Sequence, residues 1–220
     1  MISELADILY TIAPGIGAIF GLIFVLHKSP IGKYVLMLLG LYFLIELTAL
    51  IWYELKLGKE YHNVFLNSIS DLTSLSIISA MVYEITKKSK LSLGIGLFAL
   101  IVVAVFIFLI EGFNSYAPIA YSLQELGIIL LCLNYFYYIF NNETDLFIQE
   151  NTEFITICVL LVLHSGSLFT SIMILQITEN NTTYALYDLQ LLLDSIGNFA
   201  LIFVLWRIYK QKRKLEASIF

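Results

Sequence analysis

Seven stretches of the chain are long and apolar enough to cross a lipid bilayer, and little lies between them. A spanning helix needs roughly 20 mostly apolar residues, because each adds about 1.5 Å of rise toward roughly 30 Å of hydrocarbon. The stretches are 5–26, 33–55, 64–85, 91–110, 116–140, 154–177 and 184–209. The connections, 27–32, 56–63, 86–90, 111–115, 141–153 and 178–183, are polar and too short to hold a soluble domain. In hydrocarbon each backbone N–H and C=O must be bonded within its own segment, so every stretch is expected to be an α-helix. The expected fold is therefore all-α, a polytopic seven-helix bundle forming one transmembrane domain over residues 1–220.

Composition agrees: 60% of the residues are hydrophobic and 13% charged, against roughly 45–50% and about 25% in a water-soluble domain. With 17 acidic against 12 basic residues, the basic excess that nucleic-acid binding requires is missing. Cys132 and Cys158 are too few for a cysteine zinc site or a disulfide framework. No phosphate-binding glycine loop, nucleophile elbow or HExxH motif is found. The seventh stretch has no mid-span lysine for a retinal link, and no cofactor is expected. Residues 1–7 carry Glu4 and Asp7 where a cleavable signal would be basic, so the first stretch is expected to remain a membrane helix. Within it, Gly17 and Gly21 form a small-xxx-small pair suited to close helix approach, and Pro14 is expected to kink the helix.

Cytoplasmic connections are enriched in Lys and Arg. If the N-terminus lies outside, the inner side carries Lys28, Lys33, Lys87, Lys88, Lys90, Arg207, Lys210, Lys212, Arg213 and Lys214, leaving Lys56 and Lys59 outside. That bias predicts an outside N-terminus and a cytoplasmic C-terminus in a multi-pass protein of the inner (plasma) membrane. The inner connection 141–153 departs from it, with Glu143, Asp145, Glu150 and Glu153 and no basic residue, but acids count little in the rule.

Five ionisable residues fall well inside spans: Glu46, Asp71, Glu125, His164 and Asp194. Each costs at least about 2.5–3.5 kcal/mol near the bilayer centre, so such groups face the bundle interior and find partners. Helical spacing adds polar neighbours on the same faces. Helix 7 has Gln190, Asp194 and Asn198 at i, i+4, i+8. Helix 3 has Asn67, Ser70, Asp71 and Ser74, and helix 6 has His164, Ser167 and Ser171. Helix 5 has Tyr121 and Glu125, and helix 2 has Tyr42, Glu46 and Tyr53. All five ionisable groups are expected to meet in one layer, at the middle or in the outer half. No Lys or Arg shares that depth, and like charges brought together share protons instead of all ionising.

The plainer reading is interhelical hydrogen bonding, at about 0.6 kcal/mol per bond. It suits Ser74, Ser171 and Asn198 taken singly. Four carboxylates beside a histidine fit a proton-coupled transporter or a proton-sensing pocket better. His164 alone could donate to a serine, exchange protons with Glu46, Asp71 or Asp194, or ligate a metal. Zinc hydrolase sites usually show two or three histidines, so the metal stays undecided.

A register of the first three helices over the last three places Leu9-Tyr10-Thr11-Ile12 on Ala120-Tyr121-Ser122-Leu123. It also sets Glu46 on His164, Asp71 on Asp194 and Lys87 on Lys210. Such a parallel 3+1+3 repeat, with 91–110 as the linker, is similar to the plan of SWEET-type sugar transporters and KDEL-receptor-like proteins, without the Pro-Gln signature of their PQ-loop relatives. Separately, Ile31-Gly32-Lys33-Tyr34 leading to Leu44-Ile45-Glu46-Leu47, then Tyr61-His62-Asn63-Val64-Phe65-Leu66-Asn67-Ser68-Ile69, resembles a group of small bacterial seven-helix membrane proteins of uncharacterised function. Ser165-Gly166-Ser167-Leu168-Phe169 is similar to their sixth helix. This resemblance implies a shared architecture and supplies no activity.

Three functions remain open. The first is proton-coupled transport of a small polar solute or cation. Glu46, Asp71, Glu125 and Asp194 would be the solute or proton contacts, His164 the relay, and Tyr42, Tyr53, Tyr121, Gln190 and Asn198 the lining. The second is a receptor-like sensor that signals to a separate cytoplasmic partner. The third is an intramembrane metal-dependent enzyme.

Overall fold

Seven α-helices follow one another: α1 (Ile2–Phe24), α2 (Pro30–Glu54), α3 (His62–Ile85), α4 (Lys90–Val105), α5 (Pro118–Asn142), α6 (Thr152–Gln176) and α7 (Asn180–Ala217). The computed structural model describes residues 2–24, 29–54, 62–112, 117–142, 151–176 and 180–217. Within these it describes all side chains except 1–9, 11, 52–54, 62–64, 175, 180–185, 187, 212 and 214–217. Six helices carry segments long and apolar enough to cross a membrane: Pro30–Ile51, Phe65–Ile85, Lys90–Glu111, Pro118–Asn142, Thr152–Ile174 and Asp188–Gln211. Among the described residues α1 contributes a shorter apolar segment, Ile12–Phe24. The outward faces are apolar too, with Phe98 71%, Val162 74% and Leu109 78% exposed. Helices that are apolar all round belong in lipid.

Several expected boundaries shift. The fourth helix does not finish as α-helix, because Phe106–Glu111 winds as a π-helix that stops at Gly112, whose φ of 89° suits glycine. Glu111, placed in a connection by its polarity, is a cap instead. Its carboxylate accepts the backbone N–H groups of Ile119 (3.0 Å) and Ala120 (2.8 Å), donors that the start of α5 otherwise leaves unpaired. The last stretch, expected to end at 209, belongs to a longer helix: α7 continues to Ala217, and Lys210 Nζ sits 5.0 Å from the Trp206 ring centroid. Pro14 is buried within α1. The turn after α3 is tight: Lys88 N–H donates to Tyr83 O (2.8 Å) and Lys87 N–H to Glu84 O (3.1 Å), with both lysines at positive φ. His27, Lys28, Lys56, Lys59, Glu143, Asp145 and Glu150 lie outside the described residues, as do the side chains of Tyr53, His62, Lys212 and Lys214.

Each helix packs on the next in the chain, and α7 closes the circuit against α1. Because α3 also touches α5 directly, α4 lies outside a ring of six, in the groove between those two. Small residues let it sit there. Its buried positions Ser92, Gly96, Ala99 and Val103 recur every three or four residues. A Cβ on Gly96 would lie 2.9 Å from Ser79 Cβ, and one on Gly127 2.8 Å from Ala99 Cβ. Gly17 and Gly21 serve α1 in the same way, Gly17 against Ile202 and Leu39 and Gly21 against Leu36 and Leu205.

Inside the ring, one half of the bundle is close-packed. Val35 and Leu38 of α2, Ile78 and Val82 of α3, Leu131 and Tyr135 of α5, Ile157 of α6, and Leu201 and Leu205 of α7 form its core. A small polar knot ties α3, α4 and α5 together at this level. Ser92 Oγ is 2.7 Å from Thr86 Oγ1 and accepts from Asn134 Nδ2 at 2.7 Å.

The glycine contacts separate two kinds of substitution. Gly127→Val pushes against Ala99 Cβ, which cannot rotate away, and should cost about 1–3 kcal/mol as overpacking does. Gly40, where a Cβ meets nothing within 4 Å, should accept Ala neutrally or gain about 0.5–1 kcal/mol in helix propensity. Thermal unfolding in detergent checks both, with a lowered midpoint expected for Gly127→Val alone.

Candidate functional site

The inward stripe of each ring helix is apolar through the packed half and turns polar beyond it. On α7 the series Ile208, Leu205, Leu201 continues as Asn198, Asp194, Gln190. On α3, Val82 and Ile78 continue as Ser74, Asp71 and Asn67. Where the polar portions face one another they leave a cavity of about 480 Å³. It occupies the half of the bundle formed by the early parts of α1, α3, α5 and α7 and the late parts of α2 and α6.

All five ionisable residues singled out by depth line this cavity: Glu46 from α2, Asp71 from α3, Glu125 from α5, His164 from α6 and Asp194 from α7. Tyr42, Tyr121, Gln190 and Asn198 line it as well, whereas Tyr53 has its side chain outside the described set. No Lys or Arg is among the lining residues. The four carboxylates thus border one common space together with His164.

Short hydrogen bonds cross the chamber wall between helices. His164 Nδ1 lies 2.6 Å from Glu125 Oε2, and both side chains are almost wholly buried, at 4% and 2% residue exposure. A single proton sits between these two atoms, whichever carries it. Ser167 Oγ donates to Asp194 Oδ1 at 3.3 Å, and Gln190 Nε2 donates to the Tyr121 hydroxyl at 2.9 Å. Ser171, read as a glue residue, does bond between helices, its Oγ lying 2.9 Å from Ser122 Oγ. Ser74 does more, because it lines the cavity, donates to Asp71 O (3.1 Å) and accepts from Gln124 Nε2 (3.0 Å).

Tyr10 and Gln124 are among the lining residues that the sequence reading did not find. Tyr10 reaches the chamber from α1. It is in register with buried Pro14, Gly17 and Gly21 at i+4, i+7 and i+11, so the small-residue stripe already indicated its face. Gln124 precedes Glu125 and stands three residues after Tyr121; the inward arc of α5 is wide enough to take both neighbours. Among the described residues no three His, Cys, Asp or Glu side chains come together as a metal ion would need.

Compared with protein-family models, with curated proteins and with solved structures, the chain matches none.

The Glu125–His164 pair makes a stability test. Glu125→Leu leaves His164 Nδ1 without its partner and should destabilise by about 3–5 kcal/mol, as breaking a buried pair does. Glu125→Gln keeps an acceptor and should lose clearly less. Unfolding of both variants in the same detergent, monitored by the helical circular-dichroism signal, measures the difference.

Proposed function

We propose that this integral membrane protein takes a small polar solute or cation into its central chamber and moves it with proton exchange. One observation carries the reading: five ionisable side chains from five helices line one cavity, with no Lys or Arg among the described residues that line it. Carboxylates so grouped hold fewer charges than their number and exchange protons as the occupant changes. An intramembrane ionisable cluster facing a cavity is what a solute or proton pathway requires.

Orientation belongs to the same proposal. With the N-terminus outside, in the inner (plasma) membrane, the chamber occupies the outer half and the packed core closes the cytoplasmic half. The parallel 3+1+3 register also gains support. Three of its aligned pairs, Tyr10 with Tyr121, Glu46 with His164 and Asp71 with Asp194, line the cavity on both members. Repeated units meeting at a midplane site are a recurrent transporter plan.

The close-packed half favours a second reading. A sensor needs no path through it, only a change in the chamber that reaches a cytoplasmic partner along helices such as α7, which continues to Ala217.

Purified protein in liposomes with a trapped pH dye separates the two. Transport predicts a change in lumenal pH when a coupled solute is added outside, and Asp194→Asn should abolish it while solute binding persists. A lumen that stays constant across a broad solute panel, with binding intact, would instead establish the sensor.

A further inference from the structure

The chamber's unspent hydrogen-bonding capacity indicates what it holds, and this step rests on the proposed function above. Ser74 Oγ gives its proton to Asp71 O, so it can only accept from Gln124, which fixes the amide with Nε2 toward the serine. Gln124 Oε1 is then left buried with no donor. His164 Nε2 is likewise buried without a partner, while its Nδ1 is engaged by Glu125. Both residues line the cavity. Native proteins rarely leave buried polar atoms unmatched, and a site designed for a bound partner is one place where they do.

What would satisfy them must bring hydrogen-bond donors, N–H or O–H. Around the same space stand four acidic side chains, whose ionised oxygens only accept, and the rings of Tyr10, Tyr42 and Tyr121, whose faces attract cations. A bare metal ion is a poor match, because among the described residues no trio of ligands is close enough to hold it. A volume of about 480 Å³ lies within the range of roughly 300–1,000 Å³ typical of small-molecule pockets.

We propose that the chamber is built for an organic cation bearing N–H groups, an ammonium or guanidinium compound, and that binding it expels a proton from the acidic cluster. The exchange follows from His164. Nε2 accepts an N–H only when the imidazole is neutral with its one proton on Nδ1, facing an ionised Glu125. A second proton on the imidazole turns Nε2 into a donor that repels the cation. The cation and that proton therefore exclude one another.

Three probes added to the purified protein in weakly buffered detergent test this. Agmatine carries both cationic groups, tetramethylammonium carries charge without N–H, and sorbitol carries hydroxyl donors without charge. Agmatine is expected to raise the unfolding midpoint and acidify the solution. Tetramethylammonium should bind at least about tenfold more weakly, and sorbitol should do neither. Gln124→Leu should weaken agmatine binding about tenfold; should that variant not fold, the comparison of probes on the native protein decides by itself. Equal binding of tetramethylammonium or sorbitol overturns the proposal, as does agmatine binding without proton release. If no probe binds while another solute shifts lumenal pH in liposomes, the cation class falls and coupled transport stands. If no probe binds and no solute in the panel moves protons, both fall.

Discussion

Acidic side chains within an apolar bundle, with no Lys or Arg among the described residues that surround them, form the constraint on which the rest of the structure depends. Each carboxylate must be kept from lipid and supplied with hydrogen-bonding partners. Both needs are met by one device, an inward stripe on each helix that changes from apolar to polar partway along. Where the stripes are apolar they close into a core. Where they are polar they stand apart around a chamber, since side chains with bonds to make do not interlock as Leu and Ile do. The division into a packed half and a hollow half is thus written into the same helical faces.

The Glu125–His164 contact shows how the cost is contained. A buried ion pair gives little net stability, because desolvating two charges consumes most of the attraction. At 2.6 Å, however, one proton serves both groups. The pair needs no net charge separation to remain bonded, which makes it tolerable in the membrane and responsive to whatever occupies the adjoining space. Ser167 against Asp194 and Gln190 against Tyr121 follow the same pattern with weaker partners. The wall is stitched by polar bonds between different helices, so a change at one carboxylate is felt on its neighbours.

Much of this was legible in the chain. Apolar length gave the helices, and an ionisable residue in mid-span announced an inward face, so Glu46, Asp71, Glu125, His164 and Asp194 were found without coordinates. Helical spacing then brought in Gln190, Asn198, Tyr42 and Tyr121. Residues without charge were harder to see. Tyr10 looks like any aromatic of a membrane helix until Pro14, Gly17 and Gly21 are recognised as marking the face that packs. Glu111 was assigned to a loop because an acid after an apolar run usually ends a span; its role as a cap depends on where α5 begins relative to a π-helical ending, which no local pattern encodes. Depth in the membrane is nearly one-dimensional information, and sequence carries it well. Which helix stands outside the ring is a question of lateral packing, and there the clues shrink to single glycines.

The placement of α4 shows why that lateral question matters for the site. It contributes no side chain to the chamber, yet it is wedged where α3 and α5 meet. Two of its contacts cannot give by side-chain rotation: Gly96 faces Ser79 Cβ, and Gly127 faces Ala99 Cβ, atoms fixed to their backbones. Gly17 of α1 and Gly197 of α7 instead face flexible Ile and Leu side chains, Ile202 and Leu163. Asp71 and Glu125, which both line the chamber, are carried by the two helices that α4 packs against. Close backbone approach through α4 thus helps hold together the two helices that carry those carboxylates, although α4 itself contributes no side chain to the chamber.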